Sequence, residues 1–417
     1  MEIRTPDRER ITQPQHSITA GAAPSIYDVI VAASLYQLRI TSYQLLLMKT
    51  GIIGLPQVGK SSLFRMLTKT HVSERAYANP REAHVGVAKV PDDRLDRLAA
   101  MCNPRKLIHA SVEYVDVAAM PVASSKTAAG PKEGLSESIV TNIRSVDAIA
   151  HVVRAFDDPS IPHVGEINPL RDIKNVDFDL ILSDLGQVEK RLERLEKDLK
   201  RMRSPELERE HDLLLRAKAH LESERPLREM TMTAEDKKRV RGFMFLSEKP
   251  ILYVVNISET PDLGRELEGA IAKYDLTEVA SRPNAGATAI CGKVEAELAE
   301  MPDEDAAEFL ASYGLKESGL VRLVRKTYEL LGLISFFTVG EDECRAWTIV
   351  RNTRAVEAAG AIHSDLEKHF IRAETIHWDA LLDAGSEANA RARGTLRLEG
   401  KDYIVQDGDV MHIRHSG

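Results

Sequence analysis

The chain has 417 residues, 43% hydrophobic and 29% charged, and a net charge of −8. That length is enough for two or three domains with their own cores, and the acidic balance argues against a wholesale nucleic-acid coat while leaving room for a local basic patch. Cys102, Cys291 and Cys344 are far apart and form no metal or C-x-x-C spacing, which suits a reducing compartment. No run of about 18 apolar residues predicts a membrane span.

Residues 1–47 differ from the rest. Met1 to Ser25 is polar and aperiodic, and Ile26 to Met48 is apolar but interrupted by Asp28, Gln37, Arg39 and Gln44, so it is neither a span nor a signal peptide. This segment is expected to be a disordered extension without an assigned function.

The apolar run Thr50-Gly51-Ile52-Ile53 reads as a strand and Ser62 to Thr70 as a helix. Between them Gly54-Leu55-Pro56-Gln57-Val58-Gly59-Lys60-Ser61 fits G-x-x-x-x-G-K-S, the phosphate-binding loop. Glycines there let main-chain N–H groups turn in around phosphate oxygens at a helix N-terminus. Gln57, Val58, Gly59, Lys60, Ser61 and Ser62 are therefore the expected phosphate cradle. Lys60 is expected to neutralise the β- and γ-phosphates, and the Ser61 hydroxyl to hold Mg²⁺.

Further along, Tyr77 to Ala88 reads as a polar loop of the kind that covers phosphates in switch proteins. Ser111 to Val117 is an alternating strand with Asp116 near its end, where a Walker-B-type carboxylate holds Mg²⁺. Asp147 to Arg154, Lys249 to Asn256 and Ala287 to Cys291 are further strands alternating with helices, which predicts a doubly wound α/β sheet, the P-loop NTPase or G-domain class. Between two of these strands, Leu185, Val188, Leu192, Leu195, Leu199 and Met202 recur at spacings of three and four. Ser204-Pro205 breaks that helix and Glu206 to Glu222 makes a second, so an antiparallel coiled-coil hairpin is expected over 181–242. The G domain then comprises 48–180 and 243–332. Residues 333–417 read as a small α+β module, with strands at Ser335 to Val339, Cys344 to Val350, Thr395 to Leu398, Tyr403 to Gln406 and Val410 to Arg414, and a helix at Ala355 to His369.

The order of phosphate loop, strand-end Asp116 and a later Asn256-Ile257-Ser258-Glu259 is the G-protein layout with a changed base motif. A GTPase carries Asn-Lys-x-Asp there, its carboxylate pairing with guanine. The longer Glu259 is misplaced for that pairing, and unpaired buried groups cost about 1–3 kcal/mol each. Asn256 can address a purine N7 or the adenine N6 amino group, and Ile257 can pack on the ring, which favours ATP over GTP.

From about Met48 to Gly417 the chain resembles the Obg-like ATPase family, called YchF in bacteria. The resemblance rests on G-L-P-x-V-G-K-S at Gly54 to Ser61, V-P-D-x-R-L-D at Val90 to Asp96, N-x-x-E at Asn256 to Glu259 and R-A-W-T at Arg345 to Thr348. It continues through I-H-x-D-x-E-K-x-F-I-R-A-E at Ile362 to Glu374 and E-G-K-D-Y-I-V-Q-D-G-D-V-M-H at Glu399 to His412. It implies a G domain with an inserted helical hairpin and a C-terminal TGS domain of β-grasp type. It also implies ATP hydrolysis with Mg²⁺, a cytoplasmic location, no membrane, and association with ribosomes, ribosomal RNA or translation factors through the hairpin and TGS domain. A family histidine placed near the γ-phosphate corresponds to His163, the candidate catalytic residue. Four departures stand out. Gln57 replaces an asparagine, Ala78 to His84 is a shortened first switch without its threonine, Ala119 replaces a glycine, and Cys291-Gly292 replaces Ser-Ala.

These features predict a slow Mg²⁺-dependent ATPase switch, with unassisted turnover on the order of 10⁻⁴ to 10⁻² s⁻¹. The alternatives are a nucleotide-gated binding protein with negligible hydrolysis, and a GTPase.

Overall fold

The computed structural model describes residues 48–69, 84–117, 135–163, 165–202 and 204–416. The amino-terminal extension, most of the first switch segment and Ala119 lie outside these residues.

The polypeptide opens with β1 (Lys49–Ile53), α1 (Lys60–Thr68), β2 (His84–Lys89), α2 (Asp93–Cys102), β3 (Lys106–Ile108), β4 (Ser111–Asp116), α3 (Glu137–Arg144) and β5 (Ala148–Ala155). Two long helices follow, α4 (Pro169–Arg201) and α5 (Pro205–Glu222), then α6 (Ala234–Val240) and β6 (Ile251–Ile257). Next come α7 (Leu263–Lys273), α8 (Thr277–Ala280), β7 (Ala285–Ile290), α9 (Gly292–Glu300), α10 (Asp303–Ser312) and α11 (Gly319–Leu330). The last part holds β8 (Leu333–Thr338), β9 (Glu343–Val350), α12 (Ala355–Ile362), α13 (Ser364–Lys368), β10 (Phe370–His377), α14 (Trp378–Ala384), α15 (Glu387–Ala392), β11 (Arg397–Glu399) and β12 (Asp409–His415).

The first sheet has the order β2-β4-β1-β5-β6-β7. Its strands β5 and β6 are buried at every position, the near-continuous apolar run that a sheet covered on both faces requires. All its pairings are parallel except that of the edge strand β2 with β4. The expected doubly wound sheet is therefore present with one antiparallel edge. Its carboxyl ends place the phosphate loop after β1, Asp116 at the end of β4 and Asn256 near the end of β6 at one rim, where open α/β sheets bind ligands.

The helical pair departs from expectation at its base. Helix α4 begins at Pro169, capped by Asn168, and runs as one rod from the sheet's flank outwards. Its contact with α5 is buried at Val188, Leu192, Leu195, Leu213, Leu214, Ala217 and Leu221, whereas Met202 at the tip is 68% exposed. Buried Asp184 accepts from the Leu246 and Ser247 N–H groups at 2.9 and 2.7 Å, pinning the returning chain. A buried Arg228–Asp177 pair at 2.7 Å, which also bonds the Tyr253 hydroxyl, ties that return to β6.

The second sheet has the order β11-β10-β12-β8-β9-β3, with β12 and β8 parallel at its centre, the strand arrangement of a β-grasp. Three expectations fail here. Tyr403 to Gln406 is no strand and makes only a bridge from Ile404 to Arg354. The helical stretch 355–369 is divided at His363, which caps α13. Strand β10 was not anticipated, because a bulge between Phe370 and Arg372 interrupts its alternation. Strand β3 belongs by sequence to the first part yet pairs with β9. The contact between the parts is continued by Arg94, which binds Asp407 at 2.9 Å and stands 5.3 Å over the Phe337 ring, and by Arg97 over Trp378.

Candidate nucleotide-binding site

The phosphate loop is shaped by main-chain conformations that few residues adopt. Gly54 has φ +149, and a Cβ there would sit 2.4 Å from the Val152 carbonyl oxygen. Gly59, at the N-cap of α1, has φ +100, and its Cβ would meet Asn256 Nδ2 at 2.8 Å. Both positions demand glycine. Gln57 takes φ 61 and is exposed, Val58 is buried, and Ser62 is exposed in the first turn of α1. The loop thus surrounds a helix N-terminus, a ready anion site.

Lys60 is only 7% exposed and donates to the Leu55 carbonyl oxygen at 2.9 Å, so its ammonium is held over the loop. Burial lowers its pKa to about 8, opposed by Asp116. Asp116 is itself 8% exposed. Burial raises its pKa, against the pull of the Ser61 side chain, Lys60, His84 and Arg65. In-register pairing of β1 with β4 sets Ile52 opposite Asp116 and so brings the carboxylate beside the loop. Ser61 and Asp116 together are hard oxygen donors, the chemistry Mg²⁺ selects, and a partly desolvated carboxylate gains from a cation. No cluster of three or more His, Cys, Asp or Glu with metal-holding geometry occurs among the described residues. The fit is that of an ion bound by two protein groups and completed by phosphate and water.

At the other end, Asn256 Nδ2 donates one N–H to the Val58 carbonyl at 3.1 Å and its Oδ1 accepts from Gly292 N–H at 2.9 Å. The residue thus braces the phosphate loop against the start of α9, and its second Nδ2 N–H is left to meet a base. Ile257 is 6% exposed and belongs to the apolar cluster of the first sheet, so its side chain packs inward. Glu259 is bound on one oxygen by the Tyr313 hydroxyl and on the other by Lys293, each at 2.6 Å. These two bonds hold its carboxyl below the ordinary range. Lys293 and Tyr313 were not anticipated, since neither belongs to the base motif; the only hint was Gly292-Lys293 following a strand.

His163 lies exposed in the loop after β5. That loop is organised by buried Arg154, which donates to the carbonyls of Phe156 and Ile161 at 3.1 and 3.0 Å. No hydrogen bond or ion pair joins His163 to a described residue of the phosphate loop, so the structure does not bring the two together through a direct contact.

A family described as "50S ribosome-binding GTPase" matches residues 49–202, and the YchF-GTPase_C family, described as a protein of unknown function, matches residues 333–416. The "Ribosome-binding ATPase YchF" of Bacillus subtilis is 43% identical over 366 residues, 87% of this chain and 98% of the relative. The "Obg-like ATPase 1" of Oryza sativa is 36% identical over 375 residues, covering 88% and 92%. Among solved structures, the Schizosaccharomyces pombe YchF GTPase superposes with a TM-score of 0.75 at 32% identity, covering 88% of this chain and 98% of that one.

Proposed function

The chain belongs to the YchF/Obg-like ATPase family, and from that premise we propose that it binds and slowly hydrolyses ATP as a ribosome-associated switch. The names of its relatives divide between ATPase and GTPase, so the base end of the site must decide. The observation that carries the ATP reading is Glu259, whose carboxylate is bonded on one oxygen to Tyr313 and on the other to Lys293 and is held by them rather than turned freely to a guanine edge.

At the phosphate end the main-chain N–H groups of Gln57 to Ser62 cradle the triphosphate, and buried Lys60 supplies the matching positive charge. Ser61 and Asp116 would hold Mg²⁺, which when bound offsets negative charge on the phosphates. Asn256 keeps the loop in register with α9. The remaining group to be tested is His163.

The ribosome contact is assigned to the helical pair, taken as residues 181–242, and to the C-terminal β-grasp domain, 333–417. Exposed Lys200 and Arg201 in the last turn of α4 support an anionic partner at the tip. No helix of the described residues is long and apolar enough to cross a membrane, and the proposed setting is the cytoplasm, where ribosomes work.

Paired titrations with ATP and GTP test the base assignment, and tighter GTP binding overturns it. Single-turnover hydrolysis with Lys60→Ala as control tests the enzyme. Phosphate release no greater than the control leaves only nucleotide-gated binding. Cosedimentation with ribosomes, with and without nucleotide, tests the partner.

A further inference from the structure

Glu259 is met by side chains from two other elements. Lys293 stands in the first turn of α9, directly after the Gly292 whose N–H is bound by Asn256. Tyr313 follows the last turn of α10 and is held there firmly. Its carbonyl accepts from Gly264 N–H at 3.0 Å, and its ring packs edge-on against Phe309 at 5.3 Å. At Gly264 a Cβ would lie 2.6 Å from the Gly314 carbonyl oxygen, so the start of α7 and the end of α10 touch main chain to main chain. The Tyr313 hydroxyl is thus delivered to Glu259 by a rigid contact. Because Glu259 lies three residues after the Asn256 brace, this cluster sits at the same sheet rim as the phosphate loop, where the base of a bound nucleotide falls.

We propose that Lys293 and Tyr313 are specificity-determining residues that lock the Glu259 carboxylate and thereby exclude guanine. The proposal rests on the ATP reading above and adds its cause. Guanine offers two adjacent donors, N1–H and the N2 amino group, and needs a carboxylate turned to meet both. Here each oxygen already accepts a charge-assisted or hydroxyl hydrogen bond at 2.6 Å, which takes one acceptor site on each and fixes the direction in which the carboxylate faces. Guanine must turn the carboxylate against both partners or bury its donors unpaired, and a site built around one polar pattern rejects the other on that ground. Adenine has no N1–H or N2 amino group to satisfy. The selectivity therefore lies in the two partners as well as in the carboxylate, and it is lost when they are removed even though Glu259 remains.

The test uses the full chain with Mg²⁺ and measures dissociation constants for ATP, GTP and ITP, the last lacking the N2 amino group. Tyr313→Phe, Lys293→Met and the double variant are compared with the wild type. Tyr313→Phe removes a single oxygen atom and Lys293 is largely exposed, so the core is untouched. In the double variant GTP is expected to tighten at least about ten-fold while ATP stays within about threefold, with GTP gaining on ITP. Equal gains for GTP and ITP, or an unchanged ratio of GTP to ATP in all three variants, overturn the lock. A wild type that prefers ATP together with unresponsive variants overturns the lock alone. A wild type that prefers GTP overturns both the lock and the ATP reading.

Discussion

The two ends of the candidate site are built from different material. The phosphate end is main chain: one short stretch in which Gly54, Gln57 and Gly59 take positive φ. The base end is side chain: Asn256, Glu259, Lys293 and Tyr313, drawn from three regions of the chain, with Glu259 joined to Lys293 and Tyr313 and Asn256 tied to Val58 and Gly292. Backbone geometry of the first kind is intolerant of substitution but indifferent to which nucleoside carries the phosphates. Side-chain contacts of the second kind can be retuned one residue at a time. The contrast teaches that affinity and selectivity are separable here, with Asn256 as the link between the two ends.

The sharpest way to break this contrast is Lys60→Ala, expected to weaken ATP by about 100-fold or more through loss of a buried, charge-assisted contact. Calorimetric titration reads it, and a change below about threefold would remove Lys60 from the site. Next is Gly59→Ala, which combines φ +100 with a Cβ 2.8 Å from Asn256 Nδ2. Strain of about 1–3 kcal/mol is expected to appear as roughly ten-fold weaker binding of every triphosphate. For Asn256→Ala the expectation is a stability loss of about 1–3 kcal/mol by denaturant unfolding, since Gly292 N–H and the Val58 carbonyl lose their partner. ATP and CTP should weaken by the same factor. A loss confined to purines would make Asn256 a base reader as well as a brace.

A pH titration sharpens the phosphate end further. Burial lowers Lys60 from 10.5 to about 8, so above that pH the free protein loses the charge that phosphate needs. ATP affinity should fall as pH rises past about 8, by up to about ten-fold per unit, and Lys60→Ala should flatten the profile. The same depression means the unfolded chain binds more protons between the two values, so Lys60's own contribution to stability rises from about pH 8 to 10.5. The smallest effect is expected from His163→Ala. Exposed and without a described contact to the loop, it should change single-turnover hydrolysis by less than about twofold, and a ten-fold loss would support the catalytic role that the resemblance implies.

How far the sequence could be read follows the same division. The phosphate loop was legible because its residues are contiguous and its glycines are dictated by φ. The first sheet was legible because β5 and β6 are near-continuous apolar runs, interrupted only by His151 and Arg154 in β5 and by Asn256 in β6. Lys293 and Tyr313 were not, since contact between Glu259 and residues that lie beyond two and four intervening helices leaves no local pattern. Asn256 stands at the sheet rim, but its bonds to Val58 and Gly292 join segments far apart in the chain and left no mark in the sequence. In the last part the bulge hid β10 from a period-two reading, and the start of α4 was set by Asn168-Pro169 rather than by the leucine spacing.

Strand β3 has a consequence for how the protein is made. Lys106–Ile108 leaves the ribosomal exit tunnel early, yet its strand partner among the described residues, Glu343–Val350, is made more than 200 residues later. Until then the nascent chain carries a strand with no neighbour. Its brevity and the lysine at its start limit wrong pairings during that wait. Strand β3 therefore gains its partner only after residues 343–350 have emerged.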